Sequence, residues 1–450
     1  MWGERMLKRV TAPREVAPVG IPIGSASFPS PFVSGLEYAS PARGTWNIVH
    51  TGMLIPEAHE IFVCAASCLR GVVLTAAEMG ASHRFSTVEV RENNLLDGDM
   101  EELVIDGVSD ILEKLPKKPP VVLVYTSCVH HFAGCDLDMI YDTLRSRFPG
   151  IDFVDCYMNP IMRKSGLTPD QLMRSRLYMP LKPRAIRKGA VSIIGSDLPT
   201  DEESDLTVLL KAHGFKIHEI TACKTYEQYQ EMAESEYYIS YYPAAVPGGN
   251  MLAQRLGGKH IYVPFSFDYG EIARGFENLA ATLDVPVPDF AEMQAQCEAA
   301  LEETRAIVGD IPIAIDYTYC SRPLGLAKLL LDHGFQVRRV YLDVISGEEK
   351  DAFDYLKANY PDLLLLPTVH ASMRFLAEKE PTNYLAIGQK AAHFMNTNHF
   401  VNVVEGGGML GYQAIRKTCA LMQEAFREEK NMRDLIQIKG MGCCGCGGCV

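Results

Sequence analysis

Two stretches of this chain follow one plan. "AVSIIGSDLP", from residue 190, leads to "ESDLTVLLKAHGF" and then to "KIHEIT". "IPIAIDYTYC", from residue 311, leads to "PLGLAKLLLDHGF" and then to "QVRRVYLDV". In each, a short apolar run reads as a buried strand. Apolar residues recurring at three and four then read as a helix, which ends in His-Gly-Phe. The glycines of that ending, Gly214 and Gly334, fit the left-handed position that closes a helix. Strand, helix and strand in repetition is the pattern of parallel α/β layers.

The plan continues in both copies. "TYEQYQEMAES", "YYISYY", "PGGNMLAQRLG" and "KHIYVP" extend the first; "GEEKDAFDYLKANY" and "DLLLLPT" extend the second. An earlier block has the same alternation, with "TVEV", "VVLVYT" and "DFVDC" as strands and "DMEELVIDGVSDILEKL" as a helix. The basic linker "KPRAIRKG" separates it from the next. A chain of 450 residues is too long for one core. The expectation is an α/β protein of three doubly wound Rossmann-like domains with parallel sheets, over residues 45–185, 186–305 and 306–435. Residues 1–44, rich in Pro, Gly and Ser, read as an arm, and 436–450 as a Cys/Gly-rich tail. In such sheets ligands lie beyond the carboxyl ends of the strands.

Composition narrows the function classes. A net charge of −13 without a long run of like charge leaves no clustered basic face for nucleic acid. No apolar run reaches the ~18 residues of a membrane span. "MWGERMLKRV" is followed by no apolar h-region, so the chain reads as cytoplasmic. There, thirteen cysteines are not expected to form a disulfide framework. Buried thiols, metal ligands and redox centres remain. Cys156, Cys223, Cys297 and Cys419 sit singly and read as core or surface thiols.

The first block carries two cysteine pairs. "FVCAASCLRG" places Cys64 and Cys68 four apart, on one face if the segment is helical. "YTSCVHHFAGCDLD" places Cys128 just past a strand, and Gly134 allows a tight turn that brings Cys135 back. Four thiolates from two turns are the usual supply for a [4Fe–4S] cluster. The same residues read equally as four buried thiols, and spacing alone leaves both open. Structural zinc fits less well, because no C-x-x-C knuckle occurs in this block. The tail "GMGCCGCGGCV" holds Cys443, Cys444, Cys446 and Cys449, a second set of metal or redox candidates. Gly248 and Gly249 in "VPGGN" precede a helix and could receive an anion there. His399 precedes three glycines, Gly406 to Gly408, that suggest close backbone approach to a ligand or partner. No complete G-x-G-x-x-G or P-loop occurs, so nucleotide binding is not assigned.

The order of these features resembles the component 1 family of nitrogenase-like oxidoreductases. A cysteine on a loop-to-helix turn ("SCLRG") is followed by a strand near "FSTVEV". A helix and strand then lead to "TSC…GCDLD", Thr126 to Asp138. "GGMLGYQAIRKTCALMQEAF" is similar to that family's closing helix, and the likeness spans most of residues 45–435. It implies an iron–sulfur cluster held by first-domain cysteines near a subunit interface. It implies a homodimer, or a paralogous subunit in a heterotetramer, and electrons from an ATP-dependent iron–sulfur reductase partner. The matched ligand positions are Cys68 and Cys128; Cys64 and Cys135 are extra thiols. Ser86 and Thr87 stand where the family's middle first-domain cysteine should fall. A [4Fe–4S] cluster on Cys64, Cys68, Cys128 and Cys135, or one sharing ligands across a dimer, therefore fits better than an eight-iron cluster. Ser240 and Tyr241 stand near the place of the second-domain cysteine that holds a metallocofactor in nitrogen-fixing subunits, while His399 lies near the family's cofactor histidine. Nitrogen fixation is not expected, and a second metallocofactor stays unassigned.

The expected function is that of a nitrogenase-like reductase subunit, relaying electrons through the cluster to a small molecule bound between the domains. His130, His131 or Asp136 would supply protons. Two other functions suit the same residues: a non-catalytic scaffold or carrier for metallocofactor assembly, and an iron–sulfur dehydratase.

Overall fold

The computed structural model describes residues 19–35, 37–38, 40, 48–158, 167–378 and 380–437. The tail cysteines Cys443, Cys444, Cys446 and Cys449 lie outside the described residues. Fourteen strands among the described residues form three sheets. The first has the order β3-β2-β4-β5, from β2 (His59–Cys64), β3 (Phe85–Glu89), β4 (Val121–Ser127) and β5 (Asp152–Met158). The second has the order β7-β6-β8-β9, from β6 (Arg187–Ile193), β7 (Lys216–Glu219), β8 (Ser235–Ser240) and β9 (Lys259–Tyr262). The third is β1-β12-β11-β10-β13-β14, from β1 (Ile21–Pro22), β10 (Pro312–Asp316), β11 (Gln336–Tyr341), β12 (Leu364–Leu366), β13 (Leu385–Ile387) and β14 (Phe400–Val401). All pairings are parallel except β1 with β12. The arm thus reaches the third sheet: Ile23 is buried there and its N–H donates to the Leu363 carbonyl at 2.8 Å.

The His-Gly-Phe ending has one structural meaning in both copies. Gly214 and Gly334 adopt φ of +73° and +79°. The preceding imidazole closes the last turn: Nδ1–H of His213 donates to the Leu209 carbonyl at 2.9 Å, and that of His333 to Leu329 at 2.7 Å. These bonds satisfy carbonyls that a helix end otherwise leaves without partners.

One strand departs from expectation. "HEIFVC" forms β2, fully buried, so Cys64 ends a strand and only Cys68 lies on a helix (Ala66–Glu78). The polar pair His59–Glu60 hides this strand from periodicity. The Glu60 carboxyl is completely buried, and desolvation raises its pKa well above the ordinary value. Gly52 lets the Ile48–Met53 helix close over it; a Cβ there would lie 2.0 Å from Glu60 Oε1 and 2.4 Å from the Tyr125 hydroxyl. Phe62 and Tyr125 stack in the same layer, with centroids 4.0 Å apart and planes within 4°. They form a stiff base beneath the carboxyl end of β2 and β4.

The third-sheet helix Pro323–Asp332 begins beyond β10, where an α/β domain commonly receives a phosphate. Here the chain supplies its own carboxyl: Glu349 Oε1 accepts from Leu324 N–H at 2.7 Å and Gly325 N–H at 2.9 Å. Burial pushes Glu349 up to about 8 from 4.5. The unfolded chain ionises first, so this group's contribution is full below pH 4.5. Stability then falls by up to about 1.4 kcal/mol per pH unit as pH rises towards 8. Glu349→Gln retains the acceptor and removes the ionisation. Its urea midpoint is expected to gain on wild type between pH 5 and pH 9; parallel pH profiles for the two proteins would contradict this.

Candidate functional site

Each sheet has one position where connections leave in opposite directions, and a crevice opens there beyond the carboxyl ends. Strand order places it between β2 and β4, between β6 and β8, and between β10 and β13. The three crevices carry different chemistry.

The first carries thiols. Cys64 is the last residue of β2 and is fully buried. One residue on, Ala65 starts the Ala66–Glu78 helix, and Cys68 in its first turn donates its backbone N–H to the Ala65 carbonyl at 2.9 Å. Cys68 is exposed. Cys128 follows β4 as the first residue of a short helix (Cys128–Ala133) and is half-buried. Parallel pairing of β2 with β4, with Val63 opposite Thr126, sets the two strand ends side by side. Burial, with the Cys68 and Cys128 thiols adding to it, pushes the Cys64 thiol up to about 12. Of the five cysteines at residues 45–185, Cys68 and Cys128 thus act electrostatically on Cys64. Among the described residues, no group of three or more His, Cys, Asp or Glu side chains is placed to hold a metal ion. The two helices that follow these strands carry exposed apolar side chains: Val73 is 42% exposed, Leu74 52% and Phe132 70%.

Cys135 is not brought to this group. Gly134 makes the expected turn at φ +71°, and Cys135 N–H donates to the His130 carbonyl at 3.0 Å. The turn delivers the thiol to the other face of the sheet, against the apolar layer of Ile61, Val63, Val104 and Val108, whereas Cys64 packs with Phe62 and Tyr125. Its pKa is raised by burial and by Glu101, not by the other thiols.

The proposed proton donors are also placed elsewhere. His130 is buried and closes its own helix, its Nδ1 accepting from Ser127 N–H at 3.2 Å. Glu101 acts on it as on Cys135. His131 is exposed, edge-on to Phe132. Asp136 is exposed, and its carboxylate caps the Leu137–Arg147 helix by accepting from Met139 N–H at 3.0 Å. His399 stands at the amino end of β14, the opposite edge from the crevice, with Nδ1–H donating to the Ala425 carbonyl at 3.0 Å.

The second crevice carries an ion cluster that the sequence did not reveal. Arg174, on the Pro169–Arg176 helix that follows the first sheet, enters the gap between the ends of β6 and β8. Its side chain is 3% exposed. Nε donates to Asp170 at 2.9 Å, and Nη1 donates to Asp197 at 2.7 Å and to the Gly195 carbonyl. The guanidinium lies over the Tyr242 ring, 4.3 Å from its centroid. Glu405, just after β14 of the third sheet, adds a further negative charge.

The third crevice is polar too. Lys390 is 4% exposed; its Nζ donates to the Tyr317 hydroxyl at 2.7 Å and to Thr368 Oγ1 at 3.1 Å. Buried Asp316 accepts from Ala391 N–H at 2.6 Å and from Thr318 N–H at 2.7 Å. Desolvation raises its pKa.

The glycine pairs and triplets proved structural. A Cβ on Gly248 would lie 2.9 Å from Ser175 Cα, and one on Gly249 would lie 2.4 Å from His260 Nε2. They lie within the Val246–Leu256 helix, near its start, and let it pack close to Ser175 and His260. Gly406 to Gly408 do approach a partner segment, but one of this same chain. The Gly408 carbonyl accepts from Asp201 N–H at 2.9 Å, joining the third domain to the second.

The family profile described as Nitrogenase component 1 type Oxidoreductase matches residues 50–430. No curated protein matches the chain. Among solved structures, the chain is similar to one titled "Nitrogenase Cp1 at pH 6.5", with a TM-score of 0.63 at 12% identity over 88% of this chain and 94% of that one. A second, titled "Nitrogenase Cp1 at pH 5", gives 0.54 at 12% identity over 86% and 90%. At these identities the likeness is one of fold.

Proposed function

Because this chain belongs to the nitrogenase component 1 type oxidoreductases, we propose that it is the cluster-bearing subunit of a nitrogenase-like reductase. Cys64, Cys68 and Cys128 hold an iron–sulfur cluster at a face shared with another subunit. An ATP-driven iron–sulfur reductase supplies the electrons. What supports this reading is the placing of Cys64 and Cys128 at the adjoining ends of β2 and β4, with Cys68 in the next helical turn, one buried, one half-buried and one exposed.

The donor set suits the group. Thiolates are the soft ligands that iron–sulfur centres require, and the usual complement is four. This chain offers three, at the ends of β2 and β4 and in the turn after β2. The fourth ligand is supplied across the interface, by a second copy or a paralogous chain. The bound cluster provides low-potential electron storage. The residues do the rest. Cys64 gives up its proton on loading, so binding releases protons and strengthens as pH rises. The Phe62–Tyr125 stack fixes the two strand ends, and Leu74, Val73 and Phe132 exclude water once covered.

Assembly scaffolding is the second reading, and exposure of Cys68 favours it, since a solvent-side ligand eases release. One preparation separates the two. Anaerobically isolated protein is assayed for iron, sulfide and EPR signal, then challenged with a ferrous chelator. The relay function predicts a cluster that is kept under challenge and reduced by the ATP-driven partner; the scaffold function predicts rapid loss. Deleting residues 442–450 is expected to leave iron content unchanged. Loss of iron in that variant would move the missing ligand to the tail.

A further inference from the structure

In nitrogen-fixing members of the resembled family, a second metallocofactor lies between the domains, and the second and third crevices are where this chain would hold one. The side chains present there do not fit it. At the end of β8, Ser240 replaces the expected thiol and is buried, its Oγ bonded sideways to His260 Nε2 at 2.8 Å. Tyr241, next along, bonds Thr200 Oγ1 at 3.2 Å. The gap itself is shut. A Cβ on Gly195 would lie 2.0 Å from Ala245 Cβ, so the loops after β6 and β8 already touch. Arg174 fills what is left, bonded to two carboxylates and a carbonyl and covered by an aromatic ring. Lys390 likewise spends its bonds on the Tyr317 and Thr368 hydroxyls, and Asp316 on the Thr318 and Ala391 N–H groups. Apart from the His260 imidazole, whose Nε2 is taken by Ser240, the groups named here are hard oxygens and cations, poor ligands for a soft metal–sulfur centre.

We infer that Arg174 is a built-in plug. The segment after the first sheet inserts a guanidinium into the second sheet's crevice, ties the two together, and leaves the described residues with one candidate metal centre, at the first-sheet thiols. A small molecule reduced by the assembly is then bound at that cluster's face or by the partner subunit, not between this chain's domains. This rests on the proposed cluster function for its redox meaning, but the plug itself is tested without metal.

The thermal arm uses apoprotein. Arg174→Ala leaves Asp170 and Asp197 facing each other without their cation. It is expected to lower Tm by roughly 5 °C or more. Millimolar guanidinium or acetamidinium should restore most of the loss, and equal sodium chloride should not. Should that variant fail to fold, Arg174→Lys keeps the charge without the fork. It is expected to show a smaller fall that guanidinium does not restore. Wild-type Tm in Arg174→Ala, or rescue by sodium chloride alone, would overturn the plug. The metal arm uses full-length protein carrying Cys64→Ala, Cys68→Ala and Cys128→Ala together, reconstituted anaerobically with iron, sulfide and molybdate. The expected metal content is below a tenth of wild type. Stoichiometric metal that persists there, and disappears on deleting neither tail nor thiols but on adding Asp197→Asn, would show a second centre and overturn the inference. If wild type also binds no iron while guanidinium rescue succeeds, the cluster function fails and the plug stands.

Discussion

Cys64→Ala, Cys68→Ala and Cys128→Ala are each expected to lower the iron content of anaerobically purified protein about tenfold or more, whereas Cys135→Ala retains it. The asymmetry follows from strand alternation. Cys64, Phe62 and Tyr125 share one face of the first sheet, Cys68 lies in the first turn of the helix after β2, and Cys128 starts the helix after β4. Cys135 emerges seven residues after Cys128 on the opposite face, among Val104 and Val108. No turn of the Gly134 loop carries it through the sheet. Iron and sulfide counts on the four variants decide the matter. Equal loss in all four would mean that Cys135 is a ligand and that the local fold rearranges on loading. The effect sizes are large because the remaining two thiols of one chain cannot hold a cluster that normally takes four.

Gly408→Ala is the second large effect. Gly408 has φ +74°, and a Cβ there would lie 2.0 Å from the Pro199 carbonyl oxygen and 2.8 Å from Asp201 N. The loop cannot retreat, since the Gly408 carbonyl accepts from Asp201 N–H and the Leu410 carbonyl from Asp205 N–H. Lys417–Asp201 and Arg416–Asp205 pairs hold the same seam. Left-handed strain and a backbone clash together are expected to cost about 4 kcal/mol or more, read as a fall in urea midpoint and new proteolysis between the second and third domains. Gly406→Ala is the control. Its φ is +75°, but its Cβ would meet Phe265 at an ordinary 3.5 Å, so only the conformational cost of about 1–2 kcal/mol remains. Equal losses at the two positions would show that the clash at Pro199 relaxes.

What the sequence disclosed and what it hid divide along one line. Local signals were legible. The His-Gly-Phe endings marked two helix ends, and their φ values and histidine bonds agree. Parallel α/β layers followed from alternation, and the family resemblance agrees with the profile match over residues 50–430. Signals that depend on distant partners were not legible. β2 escaped because Glu60 interrupts its apolar run, and that carboxyl is tolerated only because Gly52 and Tyr125 close over it. Cys135 looked like a ligand because spacing cannot tell which face of a sheet a turn will reach. Arg174 looked like one charge on a short polar helix. Its partners at Gly195 and Asp197 lie more than twenty residues away, and Glu405 lies in another domain. Lys390 is hidden for the same reason, since Tyr317 and Thr368 meet it only once β10, β12 and β13 have paired through the sheet.

The most direct measurement is diffraction at the iron absorption edge from anaerobically grown crystals of the full-length protein. An anomalous peak within bonding distance of the Cys64, Cys68 and Cys128 sulfurs, against a neighbouring chain, is the predicted result. A peak at the tail, beside Arg174, or beside Cys135 without those three would contradict it.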